Sequence, residues 1–265
     1  MNNSKSVDEL LTKPAGVLIK TTLVDFPGKV ASAYFLRGCN LRCPYCYNVE
    51  LVSAHNDAES TSDNQAESLS INQDFVSPVQ VLEHLYRRKS VMNGLVISGG
   101  EPLLNPVTPE LIRQAKKMGY SIKLDTNGTL PLILEKLMSD RETCPDFIAM
   151  DIKTSPERYK TDIPVIKNFI HSDIKALLQS SLKLISQLGK NNYEIRTVLV
   201  PGLVDTKDIE NIAALLPQDA SWQFAQFRNE NCIDPSYNQI TPYIDSKIEQ
   251  LINFARSMVS GAKLR

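Results

Sequence analysis

Six short apolar runs, each separated from the next by an amphipathic stretch, constrain this chain more than any other feature. The runs are ASAYFL at 31–36, GLVIS at 94–98, YSIKLD at 120–125, DFIAMDI at 146–152, YEIRTVLV at 193–200 and SWQFAQF at 221–227. Each is the length of a buried strand. Helix-like stretches lie between them at 79–90, 109–119, 130–140, 174–190 and 208–217. A last one, 246–259, places apolar residues at 248, 251, 252, 255 and 258, the spacing of one helix face. Gly119, Gly189 and Pro217 stand where helices stop. Strands alternating with helices imply βαβ units and a parallel sheet. Six such units close into a partial (β/α)6 barrel or spread into a doubly wound sheet. No internal repeat points to a solenoid.

The 265 residues suffice for one sizeable core, and a single domain over 1–265 is expected. One segment breaks the pattern. Residues 53–78 hold five acidic residues and no Lys or Arg, and are rich in Ser, Asn and Asp. That composition predicts a solvated, mobile loop insertion. A net charge of -1 gives no footprint for nucleic acid. No apolar run is long enough for a transmembrane helix, so no membrane partner is expected. The first residues, MNNSKSVDELLTKPAG, lack the apolar core of a signal peptide, and a cytoplasmic protein is the expectation.

In parallel α/β folds, sites form at the carboxyl ends of strands. The distinctive residues of this chain fall there: CNLRCPYC, GGEP, DTNG, DIK, VPGLVD and RNENCIDP each close or follow one of the six runs. Three of the five cysteines, Cys39, Cys43 and Cys46, crowd into the first of these segments. Cys144 and Cys232 stand alone and read as small buried hydrophobes. A disulfide framework does not suit an odd, clustered set. Structural zinc needs four ligands, usually as two pairs, and no second pair exists. A redox dithiol would use Cys43 and Cys46 but leave Cys39 idle. An iron–sulfur cluster fits better. Three thiolates leave one iron of a [4Fe–4S] cluster without a protein ligand, as catalytic zinc leaves a position open for its substrate.

The spacing C-x3-C-x2-C, with Tyr45 before the last cysteine, resembles the signature of radical S-adenosylmethionine (SAM) enzymes. The resemblance runs from about Gly16 to Pro235 and implies the partial barrel, open on one side, of those two folds. It implies that Cys39, Cys43 and Cys46 bind one [4Fe–4S] cluster. The open iron would be chelated by the methionine moiety of SAM. Reductive cleavage would give a 5′-deoxyadenosyl radical that takes a hydrogen atom from the substrate. SGGEP resembles the family's GGE motif, so the backbone of Gly99, Gly100 and Glu101 would meet the methionine amino group. In isolation a glycine pair is only a turn.

A narrower resemblance joins it. TTLVDFPGKVASAYFLRGCNLRCPYCYNVEL is similar to the start of glycyl radical enzyme activating proteins, above all those of anaerobic ribonucleoside-triphosphate reductase. Asp125, Thr126 and Asn127 of DTNG, and Asp151, Ile152 and Lys153 of DIK, match two more motifs of that group. There the lysine and its neighbours contact the cofactor's nucleoside or carboxylate, and the two aspartates with the threonine hold a monovalent cation. Read from the residues alone, DTNG is as readily a turn as a site and Lys153 as readily a surface lysine; their position after consecutive strands favours a site. Arg196 alternates with apolar neighbours. It would serve an anionic cofactor or pair with Glu194, two positions away.

Relatives commonly place His where this chain has Tyr47, and His after the last strand where this chain offers Arg228, whose guanidinium could stack on a base. Tyr45, Cys46 and Tyr47 remain candidate cofactor contacts, as does Arg228. The insertion contains no cysteine, so one cluster is expected. The implied partners are a glycyl radical enzyme, foremost an anaerobic ribonucleotide reductase, and a flavodoxin or ferredoxin as electron donor. The rival expectation is a small-molecule radical SAM enzyme such as 7-carboxy-7-deazaguanine synthase.

Overall fold

The structure, a computed structural model, describes residues 6–52, 75–165 and 173–265. Most of the expected insertion, 53–74, lies outside the described residues. Its last residues, 75–78, are among those described. Val76 bridges Gly16, and Ser77 caps the next helix in a capping box with Gln80. Pro78 at the first helical position has no N–H to lose there. Residues 75–78 of the expected insertion thus belong to the described structure.

In chain order the strands are β1 (Gly16–Thr22), β2 (Ala31–Leu36), β3 (Gly94–Gly99), β4 (Ser121–Thr126), β5 (Phe147–Asp151), β6 (Tyr193–Leu199), β7 (Trp222–Gln226) and β8 (Ala262–Leu264). The helices are α1 (Val7–Thr12), α2 (Val49–Val52), α3 (Pro78–Arg88), α4 (Thr108–Lys117), α5 (Pro131–Ser139), α6 (Tyr159–Asp162), α7 (Ile174–Ser186), α8 (Thr206–Ala213) and α9 (Asp245–Met258). The six expected strands are β2 to β7, each within a residue or two of its run. The fold is α/β with a mostly parallel, open sheet.

The residues cluster into two compact units, 1–39 with 50–122, and 40–49 with 123–265. In the first, β1 pairs antiparallel with β2, and β2 pairs parallel with β3 from Ala31↔Gly94 to Leu36↔Gly99. Tyr34 is fully buried and donates its hydroxyl to the Val76 carbonyl at 2.8 Å, which seats the chain entering α3.

In the second unit β4 to β8 pair in parallel, in chain order. Its core gathers Leu124, Met150, Ile195, Trp222 and Phe224, all fully buried. Trp222 satisfies its indole N–H on Thr197 Oγ1 at 3.0 Å. Helix α9 buries Ile248, Leu251, Ile252 and Ala255, four of the five positions its spacing marks. Asp205 opens α8 with a capping box completed by Asp208. Side chains on one face of a parallel strand recur every second residue. Direct partners Asp151 and Arg196 thus share a face, which Lys123 and Asp125 reach from β4.

Candidate functional site

In the first unit the Gly99–Glu101 backbone is locked to the end of β2. Gly100 donates its N–H to the Leu36 carbonyl at 2.9 Å, and Glu101 donates to Gly38 at 2.8 Å. Only glycine fits at 100: a Cβ there would lie 2.1 Å from the Gly38 carbonyl oxygen. Gly99 adopts φ +114°, beyond what an L side chain tolerates. This pair is a close approach of two backbones beside Cys39, not an open turn. Glu101 is fully buried, and its carboxylate accepts the N–H of Leu103 at 3.1 Å.

In the second unit the loop 40–49 is anchored at several points. Arg42 donates its N–H to Pro164, and Leu41 bridges Val165. The carbonyl of Pro44 accepts from Asp234 at 3.0 Å, and that of Cys46 from Ile233 at 2.9 Å. Cys46 donates to the Cys43 carbonyl at 3.0 Å, closing the CPYC turn. Buried Asn40 donates to Thr129 Oγ1 and accepts from Asn127 Nδ2, both at 2.8 Å, and Thr129 donates to Asn127 Oδ1 at 2.6 Å. DTNG is therefore no solvent turn: Asn127 ties the start of the cysteine loop to the end of β4. Sequence reading missed Asn40 and Thr129, whose roles exist only through contacts far along the chain.

The candidate residues that the unit does bring together form a line of charges. Arg196 donates from Nε to Asp151 Oδ1 at 2.6 Å and from NH1 to Asp125 Oδ2 at 3.1 Å. Lys153 donates to Asp151 Oδ2 at 2.8 Å, and Lys123 to Asp125 Oδ1. Glu194, two residues along β6 and buried, adds attraction to Arg196 without taking its direct bonds. Of the two readings of Arg196, the Glu194 pair gives way to direct bonds to the two aspartates. Lys153 is no surface lysine; its side chain is 19% exposed.

Burial alone would raise both aspartate pKa values. At Asp151 the charges of Arg196 and Lys153 outweigh it, and at Asp125 those of Arg196 and Lys123 do, so both are held below the usual carboxylate range. Burial likewise opposes the Lys153 charge, but Asp151, Tyr45 and Cys43 outweigh it and raise its pKa. The backbone N–H of Lys153 is held by the phenol of fully buried Tyr159 at 2.8 Å. Ile152 is buried, its N–H donated to the Arg196 carbonyl and its own carbonyl accepting from Thr197 Oγ1, both at 3.0 Å.

Tyr45 packs edge-on against Phe227, centroids 6.5 Å apart. Its buried hydroxyl has no hydrogen-bond partner among the described residues. Burial pushes the Tyr45 phenol well above its ordinary pKa. The Cys46 thiol is also pushed up by burial, against the pull of the Asn48 N–H, Lys153 and Arg42. Thr126 is buried and accepts the Gly128 N–H at 3.2 Å. Tyr47 and Arg228 are exposed, outside this network. Cys232 is buried as expected; Cys144 is only half-buried.

A parallel α/β enzyme with a thiol-rich loop beside a buried charge network is the class these features define. The model of the Radical SAM superfamily matches residues 34–216, and the chain belongs to that superfamily. A Methanocaldococcus jannaschii protein assigned to the glycyl-radical enzyme activating enzymes is 28% identical over 94% of this chain and 94% of its own. The pyruvate formate-lyase-activating enzyme of Clostridium pasteurianum is 29% identical over 73% of this chain and 70% of its own. A 7-carboxy-7-deazaguanine synthase of Aquifex aeolicus is 33% identical, over 62% of this chain and 78% of its own. The crystal structure of QueE from Escherichia coli shares the fold, with a TM-score of 0.54 and 16% identity over 99% of this chain and 98% of that one.

Membership implies a [4Fe–4S] cluster and SAM. The residues fit them. Lys153 lies within electrostatic reach of Cys43 and Cys46, and at Cys46 its charge pulls against the burial that holds the thiol up. The orphaned Tyr45 hydroxyl marks a buried place for a polar partner. Among the described residues no trio of His, Cys, Asp or Glu converges on a single-ion site, so the cysteine triad rests on the loop's spacing and on the family.

Proposed function

We propose that this enzyme is an activase that installs a glycyl radical on a partner protein, an anaerobic ribonucleotide reductase in the first place. The observation that carries the reading is the buried line Asp125, Arg196, Asp151 and Lys153 beside the CPYC loop, in a chain similar over 94% of its length to an activating enzyme. Cys39, Cys43 and Cys46 would hold the single cluster, with SAM bound beside it. When bound, the cluster and SAM would supply the radical chemistry that removes the glycine hydrogen.

The chain's own residues do the rest. Lys153, fixed by Asp151 through its ammonium and by Tyr159 through its backbone, presents a positive charge to the methionine carboxylate. The resemblance assigns the methionine amino group to the Gly99–Glu101 backbone. Thr126, Asn127 and Ile152 are carried over from the resemblance as cofactor contacts, and Tyr45 offers its hydroxyl. Tyr47 and Arg228, both exposed, serve the rim. A flavodoxin or ferredoxin delivers the electron, and the protein works in the cytoplasm as one domain. Among the described residues no helix is long and apolar enough to cross a membrane. The monovalent cation that the resemblance implies is not part of this reading, because its carboxylates are already bridged by basic side chains.

The rival reading is a small-molecule enzyme such as 7-carboxy-7-deazaguanine synthase, favoured by the Aquifex match over 62% of the chain. Anaerobic incubation of the reduced, reconstituted protein with SAM and a candidate reductase separates the two. An EPR doublet of a glycyl radical supports activation. No doublet, with turnover of a purine-like substrate, overturns it.

A further inference from the structure

The two carboxylates that the resemblance gives to a monovalent cation have four oxygens, and each already accepts from a basic side chain. Asp125 Oδ1 takes Lys123 and Oδ2 takes Arg196; Asp151 Oδ1 takes Arg196 and Oδ2 takes Lys153. Thr126, the third expected ligand, alternates to the other side of β4 from Asp125 and accepts the Gly128 N–H. A hard cation seeks a shell of oxygens. Here it would meet three cationic groups within hydrogen-bond distance of the same two aspartates. The residues do not fit the ion.

Lys123 has no other evident reason to be where it is. It sits inside β4 at 1% exposure, on the face of Asp125 two residues on. Lysine is almost never fully buried unless paired. With Glu194, the buried set of Lys123, Arg196, Lys153, Asp125 and Asp151 comes to neutrality, and a further cation would leave it positive. We propose that Lys123 is the resident cation of this site: its ammonium compensates Asp125 permanently, and SAM binds without a monovalent ion. This rests on the reading of the network as the SAM site.

The test uses the reconstituted protein. SAM affinity is measured by equilibrium dialysis in potassium, sodium or tetramethylammonium chloride at equal ionic strength, and thallium(I) binding by NMR of the ion. The wild type should keep its affinity within about twofold across the salts and bind no thallium saturably. Lys123→Met, which keeps the stem and removes the charge, should lose affinity by about tenfold without potassium and gain a saturable thallium site. A tenfold dependence of the wild type on potassium, or saturable thallium displaced by potassium, overturns the proposal. So does a Lys123→Met protein as indifferent to potassium as the wild type. If that variant does not fold, the wild-type measurements decide alone. Failure to bind SAM in any salt would sink the functional reading instead, while the thallium titration still decides the role of Lys123.

Discussion

Lys153 shows how a single side chain is held ready. Its ammonium is set by Asp151 and its backbone N–H by the Tyr159 phenol. Tyr159→Phe removes that acceptor and leaves a buried N–H unsatisfied, at about 1–3 kcal/mol. Urea unfolding should read this loss, and SAM affinity should fall with it. Cys43→Ala should leave the fold intact and abolish the absorbance of the reconstituted cluster; a variant that still cleaves SAM would contradict the assignment of the triad. The residues read from sequence were those whose types are rare after a strand: clustered cysteines, Asp-Thr-Asn-Gly, Asp-Ile-Lys. Lys123 escaped because a lysine within a strand reads as a solvent-facing position. Asn40, Thr129 and Tyr159 escaped because their partners are known only once the chain is folded.

Between elements, a latch joins the segment after β5 to the loop before α8. Arg158 donates to Asp208 at 3.1 Å and to the Gly202 carbonyl at 2.7 Å, while Ser155 donates to Asp208 at 2.7 Å. Burial would raise the Asp208 pKa, but Ser155, the Asp205 N–H and Arg158 hold it down. Its folded pKa lies below its unfolded one, near 3.9. The stabilisation is therefore complete above the unfolded value and is lost as pH falls through the folded one. Asp208→Asn should destabilise by about 1–3 kcal/mol at pH 7 and flatten the acid limb of a stability–pH curve below about pH 4. A variant curve parallel to that of the wild type would count against the latch. On α9, Leu251→Ala should cost about 2–5 kcal/mol by the cavity it leaves. Strands β2 to β7 were legible because each is a run long enough to be buried. β1 was not, since its middle residues are exposed and break the alternation. β8 has three residues, below any periodic signal.

At the scale of the whole molecule, one of the distinctive sequence segments follows each strand from β2 to β7, and the chain belongs to the Radical SAM superfamily. That is why the superfamily could be read before the structure. The choice between a protein and a small molecule as substrate was harder to read, because the cluster loop and the glycine pair serve both. The most direct measurement is the anaerobic EPR spectrum after the reduced, cluster-loaded enzyme meets SAM and an anaerobic ribonucleotide reductase. The account predicts a glycyl radical doublet that requires SAM and is absent with Cys43→Ala. A reductase left without a radical, while the same enzyme turns over a purine-like substrate, would contradict it.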